Sequence, residues 1–550
     1  MAEHFSLVVF GLLVAVAGLV LLSDVFAVPY PIFLVLGGLS LGFVPGMPEL
    51  ELEPDLVLLI FLPPLLYSAA FFSSLRDLRA NIRPIGLLSV GLVALTTVVV
   101  AGVAHWIVGL SWPVAFVLGA IVSPTDPVAA TAIAERLGVP RRIVTVLEGE
   151  SLINDGSALV LYQTARAVAV GSVAFSFLEL GLRFVVGVVV GVAIGLLVGY
   201  VVAAVRRRVE NPLVEITISL FTGYAAYLPA EELGIIGIPA SGILAAVTAG
   251  LYLGWHAPRL TSPSTRLQAF ALWEVLTFML NSLLFILIGL QLPTILEYIS
   301  EGYSPATLAL YAAAVCLAVI LARFVWVFPA TYIPRRLSRR LRERDPSPPW
   351  QGVMVISYAG MRGAVSLAAA LAIPFTTESG APFAGRDLVI FLTFCVIFVT
   401  LVGQGLTLQP LIRWLDIHDD GSFEKEEIKA RLLAAEAALQ RIDEVADEGW
   451  VNEDTVERMR GMYGYRRRRF ATRHASVNNK RVSEFAADLG DGSDDEDYEA
   501  RSANFQRLRR ELLEAEREAV LRLRSEGKIG DQVMRRVERD LDLEDSRLEI

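Results

Sequence analysis

Residues 149–162 read GESLINDGSALVLY, with Glu148 just before them. Three carboxylates (Glu148, Glu150 and Asp155) and the Asn154 amide crowd into a stretch whose neighbours are mostly apolar. On a helix, Ser151 precedes Asp155 by one turn and Glu150 precedes Asn154 by one turn, so two polar stripes run on adjacent faces. A carboxylate at bilayer depth costs about 2.5–3.5 kcal/mol on insertion scales, and its default reading is functional. Such a group either binds a proton or shares a small cation. The two alternatives exclude each other at one carboxylate, which is the physical basis of exchange.

Two more polar interruptions lie in apolar runs. VSPTDPVAAT (122–131) holds Pro124 and Pro127, each of which removes a backbone donor and prevents a regular helix. SYAGMRGAVS (357–366) sets Gly360 and Gly363 around Arg362. Arg362 cannot usefully be buried alone, and Glu150 is the partner assigned to it, as a bidentate pair. Asp155 and Asp126 then remain, and two close carboxylates in a low dielectric resist joint ionisation. Asp126 either touches an ion or caps the broken helix. Thr125 and Ser151 add the neutral oxygens that a hard cation prefers. Asn154 supplies an amide in place of a further carboxylate and keeps the local charge low. Glu148 reads as part of a vestibule, Glu274 and Asn281 as packing and interhelical hydrogen bonding, and Asp77 as a solvated loop residue.

The elements that must position these groups follow from hydropathy. The chain has 550 residues, 54% of them hydrophobic, with a mean hydropathy of +0.54. Apolar runs fill residues 1–415, whereas residues 416–550 hold most of the charge. This predicts an all-α polytopic membrane domain followed by a soluble, charged, mostly helical tail. A span needs about 20 apolar residues, and about thirteen are expected: 5–26, 29–45, 54–72, 83–109, 112–135, 141–168, 177–204, 212–228, 235–255, 268–293, 306–330, 350–373 and 388–412. The first run lacks the basic flank and cleavage site of a signal peptide and reads as a retained helix. Asp155 lies thirteen residues after Arg142, about 20 Å along a helix and so near mid-depth.

Arginines cluster in alternate loops: Arg76, Arg79 and Arg83; Arg136, Arg141 and Arg142; Arg206 to Arg208; Arg259 and Arg266; and Arg335 to Arg344. The intervening loops include the acidic PELELEPD (48–55), with Arg386 the clearest exception. The positive-inside rule then puts the N-terminus outside and the tail in the cytoplasm. An odd span count permits two inverted six-helix repeats around one linking span. The interruptions at Asp126 and Arg362 fall in the fifth span of each half, as matched broken helices do in transporters.

Cys316 and Cys395 lie in apolar runs, and the histidines show no ligand spacing, so neither a disulfide nor a metal site is expected. The net charge of −10 owes much to the tail; no nucleic-acid partner and no cofactor are expected.

FLPPLLYSAAF (61–71), SPTDPVAA (123–130), GESLINDGSALVLY (149–162), WEVLTFMLNSLLFILIGL (273–290) and GMRGAVSLAAALAIP (360–374) together resemble the monovalent cation:proton antiporters of the NhaP and animal sodium/proton exchanger type. The resemblance runs from the third span to the twelfth. It implies a homodimeric thirteen-helix secondary transporter in the cell membrane, with a core domain that moves against a dimerisation panel. It also implies Asp155 as the ion- and proton-binding carboxylate, Asn154 as the mark of an electroneutral branch, Ser151, Asp126 and Thr125 near the ion, and Glu150 with Arg362 as a structural pair. The transported cation would be Na+, Li+ or K+. Some relatives carry an acid just after LPPLL, where this chain has Ser68.

In the tail, 424–448 and 504–527 read as amphipathic helices flanking RRRR (466–469) and an acidic linker (488–499). Regulatory contacts are one use for such a tail. An intramembrane aspartyl protease is disfavoured because the aspartates sit in TDP and NDG contexts. A channel would carry voltage-dependent current, which an electroneutral exchanger does not.

Overall fold

The computed structural model describes residues 2–26, 28–44, 54–171, 177–209, 211–232, 240–260, 263–300, 302–417, 421–448 and 453–477. Every regular element among them is helical. The chain divides into two compact units, Met1–Asp419 and Asp420–Ile550.

Among the described residues of the first unit, six helices are long and apolar enough to cross a membrane: Ile82–Val108, Gly181–Arg206, Pro212–Glu232, Gln268–Glu297, Pro305–Leu337 and Arg386–Trp414. Shorter apolar helices include Tyr30–Gly42, Leu59–Phe72, Trp112–Val122 and Gly242–Ala257. The helix Arg141–Val170 carries GESLIND at its middle. It escapes a hydropathy criterion because of the polar residues that make it interesting.

The helices form two groups. Phe177–Arg206, Pro212–Glu232 and Gly242–Leu260 pack on one another and on Pro54–Phe72, while Tyr30–Gly42 packs on Pro263–Leu290. At this last crossing a Cβ on Gly38 would meet the Ile286 carbonyl, and one on Gly289 the Val35 carbonyl. Small residues let the two backbones touch, which replaces the hydrophobic driving force that lipid does not supply. Only 22% of the apolar window of Gly181–Arg206 is buried in protein, against 78% for Arg386–Trp414. The former therefore leaves most of its surface uncovered by this chain, and the latter is an interior helix.

In the second group, Ile82–Val108, Arg141–Val170, Pro305–Leu337 and Arg386–Trp414 surround two broken helices. The first break separates Trp112–Val122 from Val128–Arg136, and the second separates Trp350–Tyr358 from Ala364–Leu371. Both interruptions fall where the prolines and glycines predict. A π-helical turn at Val399–Gln404 swings Thr400 toward the second break; extra residues in a helical turn of this kind often mark functional places.

Two loop arginines have structural explanations. Arg386, the exception to the charge alternation, donates to the carbonyls of Ile373 (2.9 Å) and Leu371 (3.1 Å) at the end of Ala364–Leu371. Its position is set by those orphan carbonyls. Arg142 binds Asp345 Oδ1 at 2.9 Å, and Arg335 binds Oδ2 at 2.5 Å. Asp345 thereby ties the start of Arg141–Val170 to the end of Pro305–Leu337. Partial burial pushes the Asp345 carboxyl up, but Arg142 and Arg335 outweigh it and hold it below the usual carboxylate range. A lowered carboxyl contributes stability above its unfolded-state value and loses it as pH falls through the folded-state value, so this tie weakens only in strong acid.

In the second unit, Ser422–Glu448 and Glu453–Val477 form an antiparallel pair, joined by Arg460 to Asp443 at 2.7 Å and by Leu432 against Phe470. The arginine run 466–469, expected between two helices, is itself part of the helix Glu453–Val477. The expected helix at 504–527 and the acidic run at 488–499 lie outside the described residues.

Candidate functional site

The two helix breaks cross. The Asp126 N–H donates to the Met361 carbonyl at 2.8 Å, so each interruption supplies a partner for backbone that lost its helical bond. The side chains divide the exposed helix ends by sign. Asp126 accepts from the Val128 N–H at 2.9 Å, at the start of Val128–Arg136. The same carboxylate lies where a Cβ on Gly363 would sit, at the start of Ala364–Leu371. Arg362 donates from Nε to the carbonyl of Val122, the last residue of Trp112–Val122, at 3.0 Å, and from Nη1 to the Gly360 carbonyl just beyond Trp350–Tyr358. A carboxylate thus faces two helix N-termini and a guanidinium faces two C-termini, the favourable arrangement for both macrodipoles. The Arg362 N–H is fixed by Thr400 Oγ1 at 3.1 Å.

This geometry corrects the expected Glu150–Arg362 pair. Arg362 is committed to the crossing carbonyls, and Glu150 takes both guanidinium nitrogens of Arg323, with Nη2 to Oε2 at 2.7 Å. Arg323 also donates Nε to the Ile356 carbonyl at 3.0 Å. Both partners are 1% exposed. The sequence reading overlooked Arg323, although a lone guanidinium in LALYAAAVCLAVILARFVWVF (308–328) is itself an intramembrane-charge signal.

Thr125 ties this pair to the first break. Its hydroxyl donates to Glu150 Oε1 at 3.1 Å and accepts from Asn154 Nδ2 at 2.9 Å. Asn154, 1% exposed, sits behind the cavity wall and positions Thr125.

On the neighbouring face of Arg141–Val170, Ser151 and Asp155 line a cavity of about 380 Å³. Thr125, Asp126, Asn281 and Ser366 also contribute to its wall. The two stripes read from the spacing therefore have different surroundings: Glu150 and Asn154 face a buried hydrogen-bond network, and Ser151 and Asp155 face open space. Among the described residues, no hydrogen-bond donor from protein reaches the Asp155 carboxylate, and no lysine or arginine lines the cavity. Asp126 caps a helix, as one of the two expected alternatives has it, and the residue also lines the cavity. Asn281, read as a packing residue, is on the wall. Ser68 is there too, spending its hydroxyl on the Leu65 carbonyl at 2.9 Å. The wall is thus uncharged at the position where some relatives have an acid. A partly buried, largely apolar pocket in which the Asp155 carboxylate accepts no protein hydrogen bond among the described residues can hold a proton or a small desolvated cation.

Gly363 makes the crossing possible. Gly363→Ala puts a methyl group into the Asp126 carboxylate, and cation-dependent proton movement in vesicles is expected to fall roughly tenfold or more. Unchanged rates would show that the crossing can open without loss.

The family described as sodium/hydrogen exchanger, transmembrane, matches residues 11–414. An uncharacterised Na+/H+ exchanger of Mycobacterium tuberculosis is 38% identical over 548 residues, covering 99% of this chain and 96% of that protein. The Na+/H+ antiporter ApNhaP of Aphanothece halophytica is 34% identical over 442 residues, 80% of this chain and 79% of its own length. The solved structure of the sodium proton antiporter MjNhaP1 from Methanocaldococcus jannaschii aligns with a TM-score of 0.58 over 75% of this chain and 99% of that one, at 18% identity. The fold is shared, and the sequence match extends through both helix breaks and GESLIND. The chain belongs to the sodium/hydrogen exchanger family, multi-pass membrane antiporters of the NhaP type.

Proposed function

We propose that the protein exchanges one monovalent cation, Na+ with Li+ or K+ as alternatives, for one proton, and that Asp155 is the group for which they compete. The observation that carries this reading is the Asp155 carboxylate itself. It is 8% exposed, lines a cavity whose mostly apolar wall carries a few oxygen groups, and has no protein donor among the described residues. Ser151, Thr125 and Asp126 stand beside it as the ion's further oxygen neighbours, and Asn154 holds Thr125 in place. Glu150 with Arg323, and Asp126 with Arg362, balance each other in charge. At the crossing itself one negative charge is then left over, on Asp155, and one bound H+ or one bound cation neutralises it. That tally supports one-for-one, electroneutral exchange by alternating access. A pH step of one unit is worth about 1.4 kcal/mol and sustains at most a roughly tenfold cation gradient in return.

The same reading takes the membrane unit as about thirteen spans in two inverted six-helix repeats. The two broken helices are their matched members. The group built on Phe177–Arg206 is the dimerisation panel of a homodimer, and the group around the breaks is the mobile core. Arginine placement supports an N-terminus outside and a cytoplasmic tail in the cell membrane.

The test is transport by purified protein in liposomes carrying a pH-sensitive dye. Addition of at least one of Na+, Li+ and K+ is expected to collapse an imposed pH gradient, at a rate unaltered by clamping the membrane potential. No response to any of the three defeats the antiport reading, and a current that follows voltage replaces it with a channel. The cation giving the fastest collapse identifies the preferred substrate.

A further inference from the structure

The cavity that ends at Asp155 has a second carboxylate on its wall, that of Glu148. Glu148, Ser151 and Asp155 stand at i, i+3 and i+7 of one helix, the spacing of a single face. All three line the same cavity, so they form a polar rail about 10 Å long. The rail runs toward the basic-loop end of the helix, where Arg141 and Arg142 begin it. Glu148 is exposed to the cavity. Of the nearby charges, Arg141 lies 3.8 Å from Asp77 and within electrostatic reach of Glu148, Glu135 adds a further carboxylate, and Arg142 is held by Asn81 and Asp345. Across the cavity, Ser68, Thr277 and Asn281 contribute only neutral oxygens. Asp126 is occupied by the helix starts, and Asp155 is the exchange group, so Glu148 is the cavity's one carboxylate without an assigned task among the described residues.

We propose that Glu148 forms a second monovalent-cation site, an entry station on the basic-loop side from which the ion passes along Ser151 to Asp155. This rests on the antiport reading above. A carboxylate roughly 10 Å from the exchange site, in a partly solvated cavity, raises the local cation concentration and takes over part of the hydration shell before the ion reaches Asp155.

The test is side-specific kinetics. Glu148→Gln removes the charge at nearly constant shape. With Na+ presented to the basic-loop face, in everted vesicles, the half-saturating concentration is expected to rise about three- to tenfold at an unchanged maximal rate. With Na+ presented to the opposite face, it is expected to stay the same. Glu148→Asp is expected to recover most of the loss, which a purely structural role does not predict. An unchanged half-saturation, or an equal shift on both faces, overturns the entry site. Absence of exchange in the unmodified protein overturns the antiport reading instead. In that case the Na+ dependence of thermal stability, compared between unmodified and Glu148→Gln protein, decides the binding site by itself: a Na+ response weakened by the substitution supports it, and an identical response rejects it.

Discussion

Asp155→Asn is expected to reduce cation-dependent proton movement to background while leaving the protein folded. An amide neither takes up a proton near neutral pH nor offers a carboxylate to the cation, so both halves of the proposed competition vanish. The fold is expected to survive because Asp155 receives no protein hydrogen bond among the described residues and lines a cavity. A near-isosteric change at such a place falls within about 1 kcal/mol of the original stability. Two measurements in the same preparation decide the matter, dye-reported exchange in liposomes and the thermal midpoint in detergent. Retained exchange removes Asp155 from its assigned role. A collapsed midpoint shows that the carboxylate is structural.

The opposite pattern is expected one stripe away. Glu150→Ala strands the buried Arg323 guanidinium, and Arg323→Ala strands Glu150; each should cost about 3–5 kcal/mol, the usual penalty for breaking a buried pair. Removing both leaves no uncompensated charge, so the double variant is expected to be more stable than the sum of the single losses implies. A double-mutant cycle on thermal stability should give a large coupling for Glu150 with Arg323 and a small one for Glu150 with Arg362. A larger coupling to Arg362 would restore the pairing expected from sequence and contradict the geometry at both arginines. Activity among the surviving fraction of Glu150 variants further separates structure from transport. Ordinary rates per folded molecule show that Glu150 holds the site without touching the ion.

The difference between the two stripes was readable from spacing, because a helix puts residues three and four apart on one face whatever surrounds it. The breaks were equally plain, since two prolines in SPTDP and two glycines around Arg362 leave no regular helix. The identity of the partner for Glu150 was not. Arg323 lies 173 residues away in sequence, and its proximity depends on how Pro305–Leu337 crosses Arg141–Val170, which no local pattern encodes. Arg362 was an attractive partner because a buried arginine seems to demand a carboxylate. Helix C-termini are an alternative sink for a guanidinium, and the carbonyls of Val122 and Gly360 use it. The same physics explains Arg386, whose bonds to Leu371 and Ile373 override the charge alternation of the loops. In both cases composition located the charge, and only the fold could show that backbone was its counterpart. The cavity wall illustrates a further limit. Asn281 was visible as a polar residue, but that it lines the cavity and does not merely pack between helices is a property of the packed helices.

The sign-sorted crossing also bears on what the proposed carrier must not do. In the proposed cycle the two arginines, Glu150 and Asp126 travel as a balanced set, so the charge at the crossing itself is decided at Asp155. With H+ or a cation aboard, the crossing would be neutral and could pass the apolar barrier. Empty, it carries one net negative charge, and driving that through the low-dielectric interior is costly in the way that any unpaired intramembrane charge is. In that cycle slippage, the unproductive return of an empty carrier, would be suppressed without any separate lock.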